Sequence, residues 1–299
     1  MKIVLTGSLG HISRPLTQLL VSGGNEVIVI SSKAERKADI EMLGASAAIG
    51  SVTNADFLVN SFTGASAVYT MVPPPANFYD PSFDMAAYGE TVRNNYFAAL
   101  AQAGVNRVVN LSSWGAHRST GIGGIAGCYY MEQLLNQLPG NVTITHVRPT
   151  SFYYNMLHFI PMIKYTGKIS LNYGGEDIVS LVAPTDIATA IAEELQNPHQ
   201  GRTIRYVASD ELSCNEIARV LGEAIGMPTL QWQRISDSAA HSNLLAAGMS
   251  PALAASVAEI QGAIHKGFLA ENYKQHKPIF GKVKLTDFAK KFATVFNQK

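Results

Sequence analysis

The stretch Thr6-Gly7-Ser8-Leu9-Gly10-His11-Ile12-Ser13 carries the most readable chemistry in this chain. It lies between a short apolar run at 2–5 and a helical pattern at 11–22. Gly7 allows a tight turn off the strand, and Gly10 lets the backbone come close to a bound anion. The open N–H groups of the helix start then meet that anion at the positive end of the helix dipole. A diphosphate suits this place, with Gly7, Leu9, Gly10, His11 and Ile12 around it. Where a third glycine would ease the approach of helix to sheet, the chain has Ser13. Ile12, Leu16, Leu19 and Leu20 are expected to face the sheet, and Pro15 is tolerated in the first turn.

A second group follows the next apolar run. Ser31-Ser32-Lys33, with Arg36 a turn later, offers hydroxyls and cations where an acidic residue would grip the ribose hydroxyls of NAD. Hydroxyl plus cation suits a 2′-phosphate, so NADP(H) is favoured over NAD(H). Val72 and Ser112, one residue beyond the runs at 67–71 and 107–111, complete the candidate cofactor contacts of Ser32, Lys33 and Arg36.

Trp114, Tyr129, Phe152, Tyr153, Tyr154 and Asn155 are the candidate substrate pocket, since ligands of open α/β sheets sit beyond the carboxyl ends of strands. The run 152–154 could stack on a flat acceptor. Trp114 and His117 follow Ser112-Ser113 and are candidates to flank the nicotinamide. No residue is assigned as catalytic. No metal is expected, because the eight histidines are scattered and neither paired-cysteine nor His-Glu-x-x-His spacing occurs. The Gly-x-Ser-x-Gly elbow of serine hydrolases is absent too.

These residues need a scaffold to hold them. Short, β-branched apolar runs at 2–5, 26–30, 67–71, 107–111 and 142–147 alternate with helical patterns at 11–22, 34–43, 54–62, 91–103 and 130–137. That alternation predicts an α/β, Rossmann-type doubly wound parallel sheet. Residues 1–153 read as a dinucleotide-binding core. Residues 154–299 read as a smaller C-terminal substrate lobe, with a segment at about 178–196 returning to the core. There, 178–181 is strand-like and Pro184-Thr185-Asp186 starts a helix through Leu195, with Asp186 in its first turn. A strand is expected at 201–207, and helices at 214–226, 250–271 and 286–296.

Composition narrows the class. The chain has 299 residues, 47% hydrophobic and 15% charged, with a formal net charge of +1. A large core is affordable, and the sparse charge leaves room for a homodimer contact. The lack of a basic block argues against nucleic acid or an anionic membrane as partner. Two cysteines, Cys128 and Cys214, suit a reducing compartment. No apolar run approaches a membrane span, and the first residues read as a strand rather than a leader, so the expected location is cytoplasmic.

Taken together, Thr6-Gly7-Ser8-Leu9-Gly10-His11-Ile12, Val108-Val109-Asn110-Leu111-Ser112-Ser113 and Thr143-Ile144-Thr145-His146-Val147-Arg148-Pro149 resemble the NmrA-like group of atypical short-chain dehydrogenases/reductases. Pro184-Thr185-Asp186-Ile187-Ala188 and the tail around 248–267 extend the likeness over nearly the whole chain. The resemblance implies a Rossmann core, a smaller C-terminal lobe with substrate in the cleft between, and Gly50-Ser51-Val52 beside the adenine. Relatives often carry Asp where Ser51 stands and Arg where Ser32 stands. The group includes NADPH-dependent quinone reductases, triphenylmethane dye reductases and NmrA-type redox sensors. Ordinary short-chain dehydrogenases use a Tyr and a Lys four residues apart, the Lys lowering the phenol pKa. Aligned by the following strand, those positions fall on Gly124 and Cys128, so that mechanism is absent. The expectation is an NAD(P)H-dependent oxidoreductase acting on a quinone-like or other flat conjugated acceptor by direct hydride transfer. The alternative is a non-catalytic dinucleotide-binding redox sensor.

Overall fold

Near-continuous apolar runs at 3–5, 27–30 and 67–69 build the central strands, as expected where both sheet faces are covered. The strands are β1 (Lys2–Leu5), β2 (Glu26–Ser31), β3 (Ser46–Ile49), β4 (Ala67–Thr70), β5 (Arg107–Leu111), β6 (Thr143–Pro149), β7 (Ser151–Phe152), β8 (Lys168–Leu171), β9 (Ile178–Val182), β10 (Arg202–Val207), β11 (Asp210–Ser213) and β12 (Gln231–Arg234). The helices are α1 (Ser13–Ser22), α2 (Lys37–Glu41), α3 (Ala55–Phe62), α4 (Met85–Gln102), α5 (Ala126–Leu135), α6 (Phe159–Thr166), α7 (Pro184–Gln196), α8 (Cys214–Ala224), α9 (Asp237–Ala246), α10 (Pro251–His265) and α11 (Leu285–Asn297). The computed structural model describes residues 1–78, 80–197 and 200–298. Among these, no helix is long and apolar enough to cross a membrane.

The chain forms two compact units: Met1–Ser112 with Gly127–Arg148 and Ile187–Arg205, and Ser113–Ala126 with Pro149–Asp186 and Tyr206–Lys299. The first unit is built on a seven-stranded sheet of order β10-β6-β5-β4-β1-β2-β3. From β6 to β3 every neighbouring pair is parallel. This is the doubly wound, Rossmann-type α/β arrangement, with its order reversing between β1 and β4. Its core joins Val4, Val68, Val108 and Ile144 of the sheet to Leu58, Phe62, Tyr96 and Leu135 of the helices.

The boundaries depart from the sequence reading where local chemistry intervenes. Helix α1 begins at Ser13 rather than His11, and its buried face is Ser13, Leu16, Thr17 and Leu20. Leu19 is exposed because the buried set repeats at i, i+3, i+4 and i+7, and residue 19 lies off that stripe. The pattern at 34–43 is interrupted, giving a single 3₁₀ turn (Ala34–Arg36) before α2. Helix α4 starts at Met85 instead of 91, because the Asp84 carboxylate accepts from the Ala87 amide at 2.9 Å. Strand β3 carries no apolar run, since Ser46-Ala47-Ala48 is small and the strand lies at the sheet edge.

A polar ladder crosses the first unit. Thr70, Asn110 and His146 occupy paired positions on β4, β5 and β6. Asn110 accepts from the Thr70 hydroxyl at 3.1 Å and its amide donates to His146 Nδ1 at 3.2 Å. His146 Nε2 then donates to Asn136 Oδ1 at 3.1 Å. Burial first, with Arg148 and Arg202 adding to it against the opposing pull of Glu132, lowers the His146 pKa to about 4. The imidazole is therefore held neutral while an unfolded histidine protonates near 6.5. Between those values the unfolded chain binds the extra proton, so stability should fall as pH drops from 6.5 towards 4, by about 3 kcal/mol in all. Urea midpoints of wild type and His146→Gln at pH 7.5 and 4.5 check this. The wild type should lose about 2–3 kcal/mol more than the variant between the two pH values; equal losses would remove the assignment.

The second unit has its own core. Its sheets are β11-β9-β7, antiparallel at β9–β11 and parallel at β7–β9, and a parallel pair β8–β12. Trp232, Tyr173, Ile217, Leu221, Phe288 and Phe292 gather around them. Helix α8 starts at a capping box between Ser213 and Glu216. Asp186 lies in the first turn of α7, where its carboxylate accepts from the Ser209 hydroxyl at 2.7 Å and the Val283 amide at 3.2 Å. The helical pattern expected over 250–271 stops at His265, and Gly267, at φ +74°, reverses the chain.

Candidate dinucleotide site

The loop after β1 turns twice through left-handed backbone. Gly7 has φ +89°, and a Cβ there would sit 2.8 Å from Met71 Sδ and 3.1 Å from Ser13 Oγ. Ser8 follows at φ +54°, a conformation uncommon for a residue with a side chain. It is held by its amide to the Ile30 carbonyl at 3.0 Å and its hydroxyl to Ser31 Oγ at 3.0 Å. Ser13, where a third glycine was expected, donates its hydroxyl to the Thr6 carbonyl at 3.2 Å and is buried. The small polar side chain thereby ties helix to strand. No side chain caps the start of α1 and no acidic residue lies in its first turn, which leaves the positive end of the dipole for an anion.

Beside this loop is an open depression of about 380 Å³, lined by Leu9, Gly10, His11, Arg14 and Pro15. Exposed Arg14 was missed by the sequence reading. Its signal was a cation in the first turn of a glycine-opened helix. The bare backbone at Gly7 and Gly10, the uncapped helix end and this cation together fit the diphosphate of a dinucleotide.

The remaining candidates follow the carboxyl ends of neighbouring parallel strands. Ser32 and Lys33 are exposed after β2, and Arg36 is half-buried with its guanidinium 3.1 Å from Asp39. Ser51, exposed after β3, shares a 2.7 Å hydrogen bond with Thr53. Gly50 beside it is crowded, since a Cβ would meet the Phe57 ring at 2.6 Å unless that ring moved. Val72 is exposed after β4. Ser112, after β5, is buried, and its hydroxyl donates to Glu132. The sheet thus brings the loop, Ser32, Lys33, Ser51, Val72 and Ser112 to one edge.

On α5, Tyr129 and Tyr130 pack edge to face at 5.4 Å. Cys128 and Cys214 are both free. Loss of water, reinforced by the Glu132 carboxylate against the opposing Arg148 and Arg93, pushes the Cys128 thiol up to about 12. It is a neutral thiol at pH 7.

The second-unit candidates divide. Tyr153 is 1% exposed, stacks on Phe288 at 5.5 Å and donates its hydroxyl to the Val283 carbonyl at 3.2 Å. Trp114 is 4% exposed, edge-on to Tyr273 at 6.3 Å in a cluster with Ile122, Tyr206 and Leu269. Both are core residues rather than walls of an open pocket. Phe152 and Tyr154 remain half-buried with rings 5.1 Å apart, and Asn155 is exposed. His117 Nε2 and the Arg118 guanidinium share Glu271, at 3.2 and 2.8 Å, and Arg118 lies over the Phe268 ring. Gly123 and Gly124 meet α10, where the Gly124 amide donates to Ser256 Oγ at 2.8 Å. Among the described residues no group of three His, Cys, Asp or Glu side chains could hold a metal ion.

Known proteins share this architecture. The chain is 25% identical over 245 residues to a (4-alkanoyl-5-oxo-2,5-dihydrofuran-3-yl)methyl phosphate reductase of Streptomyces griseus, covering 82% of this chain and 80% of that protein. An NADPH-dependent quinone oxidoreductase of Escherichia coli, solved with NADPH, superposes at a TM-score of 0.81 with 17% identity, over 99% of this chain and 100% of that one. The triphenylmethane reductase of Citrobacter sp., solved with NADP(H), gives 0.78 and 21% identity, over 97% and 99% of the two chains. A family described as NAD(P)H-binding matches residues 7–198, the span that begins at the left-handed Gly7 and takes in every strand edge bearing a cofactor candidate. With loop, sheet order and family match in agreement, the chain belongs to the NAD(P)H-binding family.

Proposed function

We propose that this protein is an NADP(H)-dependent oxidoreductase of the NmrA-like type, reducing a quinone-like or other flat conjugated acceptor without a Tyr–Lys pair. The observation that carries the reading is the loop at residues 7–12, with its bare glycines, uncapped helix and adjoining Arg14. The bound nicotinamide would supply the hydride. The chain's own residues orient it and leave proton delivery to water. Gly124 and Cys128 support the second half of the reading, since one has no side chain and the other keeps a neutral thiol. Such chemistry suits an acceptor that needs no acid to be electrophilic. The reductase names among its relatives point the same way. We assign the dinucleotide to residues 1–153 and acceptor recognition to 154–299 together with neighbouring Phe152, whose ring meets that of Tyr154.

For NADP over NAD the support is Lys33, exposed at the end of β2 with no carboxylate in the turn before it. Arg36 is already engaged by Asp39 and contributes as a shared cation. Calorimetry should find NADPH bound more tightly than NADH, and Lys33→Ala with Arg36→Ala should weaken NADPH by roughly tenfold or more while barely moving NADH. Equal losses would end the 2′-phosphate assignment. Oxidation of NADPH on adding a panel of quinones and triphenylmethane dyes tests turnover. Tight nucleotide binding with silence across the panel would favour the second reading, a dinucleotide sensor, for which the missing ionisable pair at Gly124 and Cys128 speaks.

A further inference from the structure

Ser112 is set in an unusual electrostatic frame. Its amide donates to the Val147 carbonyl at 2.7 Å, fixing the residue at the end of β5. Its hydroxyl donates to Glu132 Oε1 from α5. Arg148 of β6 grips the same carboxylate with two hydrogen bonds, Nε to Oε1 at 2.9 Å and Nη2 to Oε2 at 2.6 Å. The Glu132 and Arg148 side chains are only 3% and 4% exposed. A buried pair of this kind is weak evidence for stability, because desolvation offsets its attraction. Its chemical consequence lies in the serine. A hydroxyl has one proton and two acceptor lone pairs. A carboxylate held by an arginine can only accept, so the serine proton is committed.

We propose that Glu132, held by Arg148, makes Ser112 a one-way hydrogen-bond acceptor that takes an N–H from the carboxamide of the bound nicotinamide. Glu132 is a positioning residue in this arrangement, and Ser112 is the contact. The inference rests on the dinucleotide reading above. The placement follows from the sheet. Ser112 lies two strands from the glycine loop along β1, β4 and β5, about 10 Å at ordinary strand spacing. That separation suits the step from a diphosphate to the nicotinamide ring. A serine that cannot donate is of no use for polarising a substrate carbonyl. It is well matched to an amide N–H, which fixes the ring's orientation without protonating anything.

The test is a binding measurement that needs no turnover. NADP⁺ is compared with its 3-acetylpyridine analogue, in which a methyl group replaces the amide NH₂ and the carbonyl is kept. Wild type should bind the analogue roughly three- to tenfold more weakly than NADP⁺, the worth of one hydrogen bond. Ser112→Ala, which leaves the Glu132–Arg148 pair intact, should close that gap, whereas Ser112→Thr should keep it. Glu132→Leu paired with Arg148→Met removes the acceptor that holds the serine proton without leaving a buried charge behind. It should narrow the gap by freeing the serine proton, an effect a merely structural role for Glu132 would not produce. If wild type binds both nucleotides equally, or the gap survives in Ser112→Ala, the inference is overturned while the dinucleotide reading stands. If wild type binds neither, both fall together.

Discussion

Replacing Arg148 by Met is expected to cost the first unit about 3–5 kcal/mol, the largest single effect foreseen for this chain. The substitution leaves the buried Glu132 carboxylate without its guanidinium. Ser112 alone cannot replace two charge-assisted hydrogen bonds. Removing both charges together should behave differently. Arg148→Met with Glu132→Leu deletes the attraction and its desolvation cost at once, and should recover most of the loss. Denaturant midpoints of wild type, single and double variants measure the cycle. A single variant within about 1 kcal/mol of wild type would mean the carboxylate finds another partner or takes up a proton cheaply.

The second large effect lies at Gly123. Its φ is +54°, and a Cβ would land on the Ser256 carbonyl oxygen and 2.9 Å from Ile260 Cγ1, both on α10. Left-handed backbone costs a residue with a side chain about 1–2 kcal/mol, and forced overlap adds about 1–3 kcal/mol. Gly123→Ala should therefore lose about 3 kcal/mol. Gly104 supplies the control, with φ +66° and open space where a Cβ would go. Gly104→Ala should cost about 1 kcal/mol from backbone strain alone. Thermal or urea unfolding of the two variants reads the difference; equal losses would show that α10 shifts to make room. Beside Gly123, a Cβ at Gly124 would be 3.2 Å from Ser256 Oγ, so α10 crowds this position too.

The parts of the fold that were legible are those whose residues announce themselves locally. Strands β1, β2 and β4 are near-continuous apolar runs, β5 and β6 carry apolar residues among polar ones, and Gly7 and Gly10 sit where the first of them ends. Strand β3 was silent because an edge strand needs little apolar content. The aromatic run at 152–154 was readable as important but not as to direction. In a 3₁₀ turn successive side chains diverge by about 120°. Tyr153 goes into the core while Phe152 and Tyr154 meet beside it. The frame around Ser112 could not be read at all, since its three members come from separate elements and meet only after β5, α5 and β6 are assembled. Arg14 and Lys33 differ in that nothing hides them. They are ordinary exposed cations until the left-handed turn of the loop at Gly7 and Ser8 is seen.

The interleaving of the two units has a consequence for biosynthesis. The first draws its last segment from Ile187–Arg205, and the second reaches from Ser113 to the final helix. As the chain leaves the ribosome, the nucleotide-binding sheet has no edge partner beyond β6 until residue 207 has emerged. The Asp186 carboxylate lacks its Val283 amide until residue 283 has emerged as well. Neither unit can mature in the order in which it is translated, so nascent chains should stay open to chaperones and proteases until these later segments have emerged.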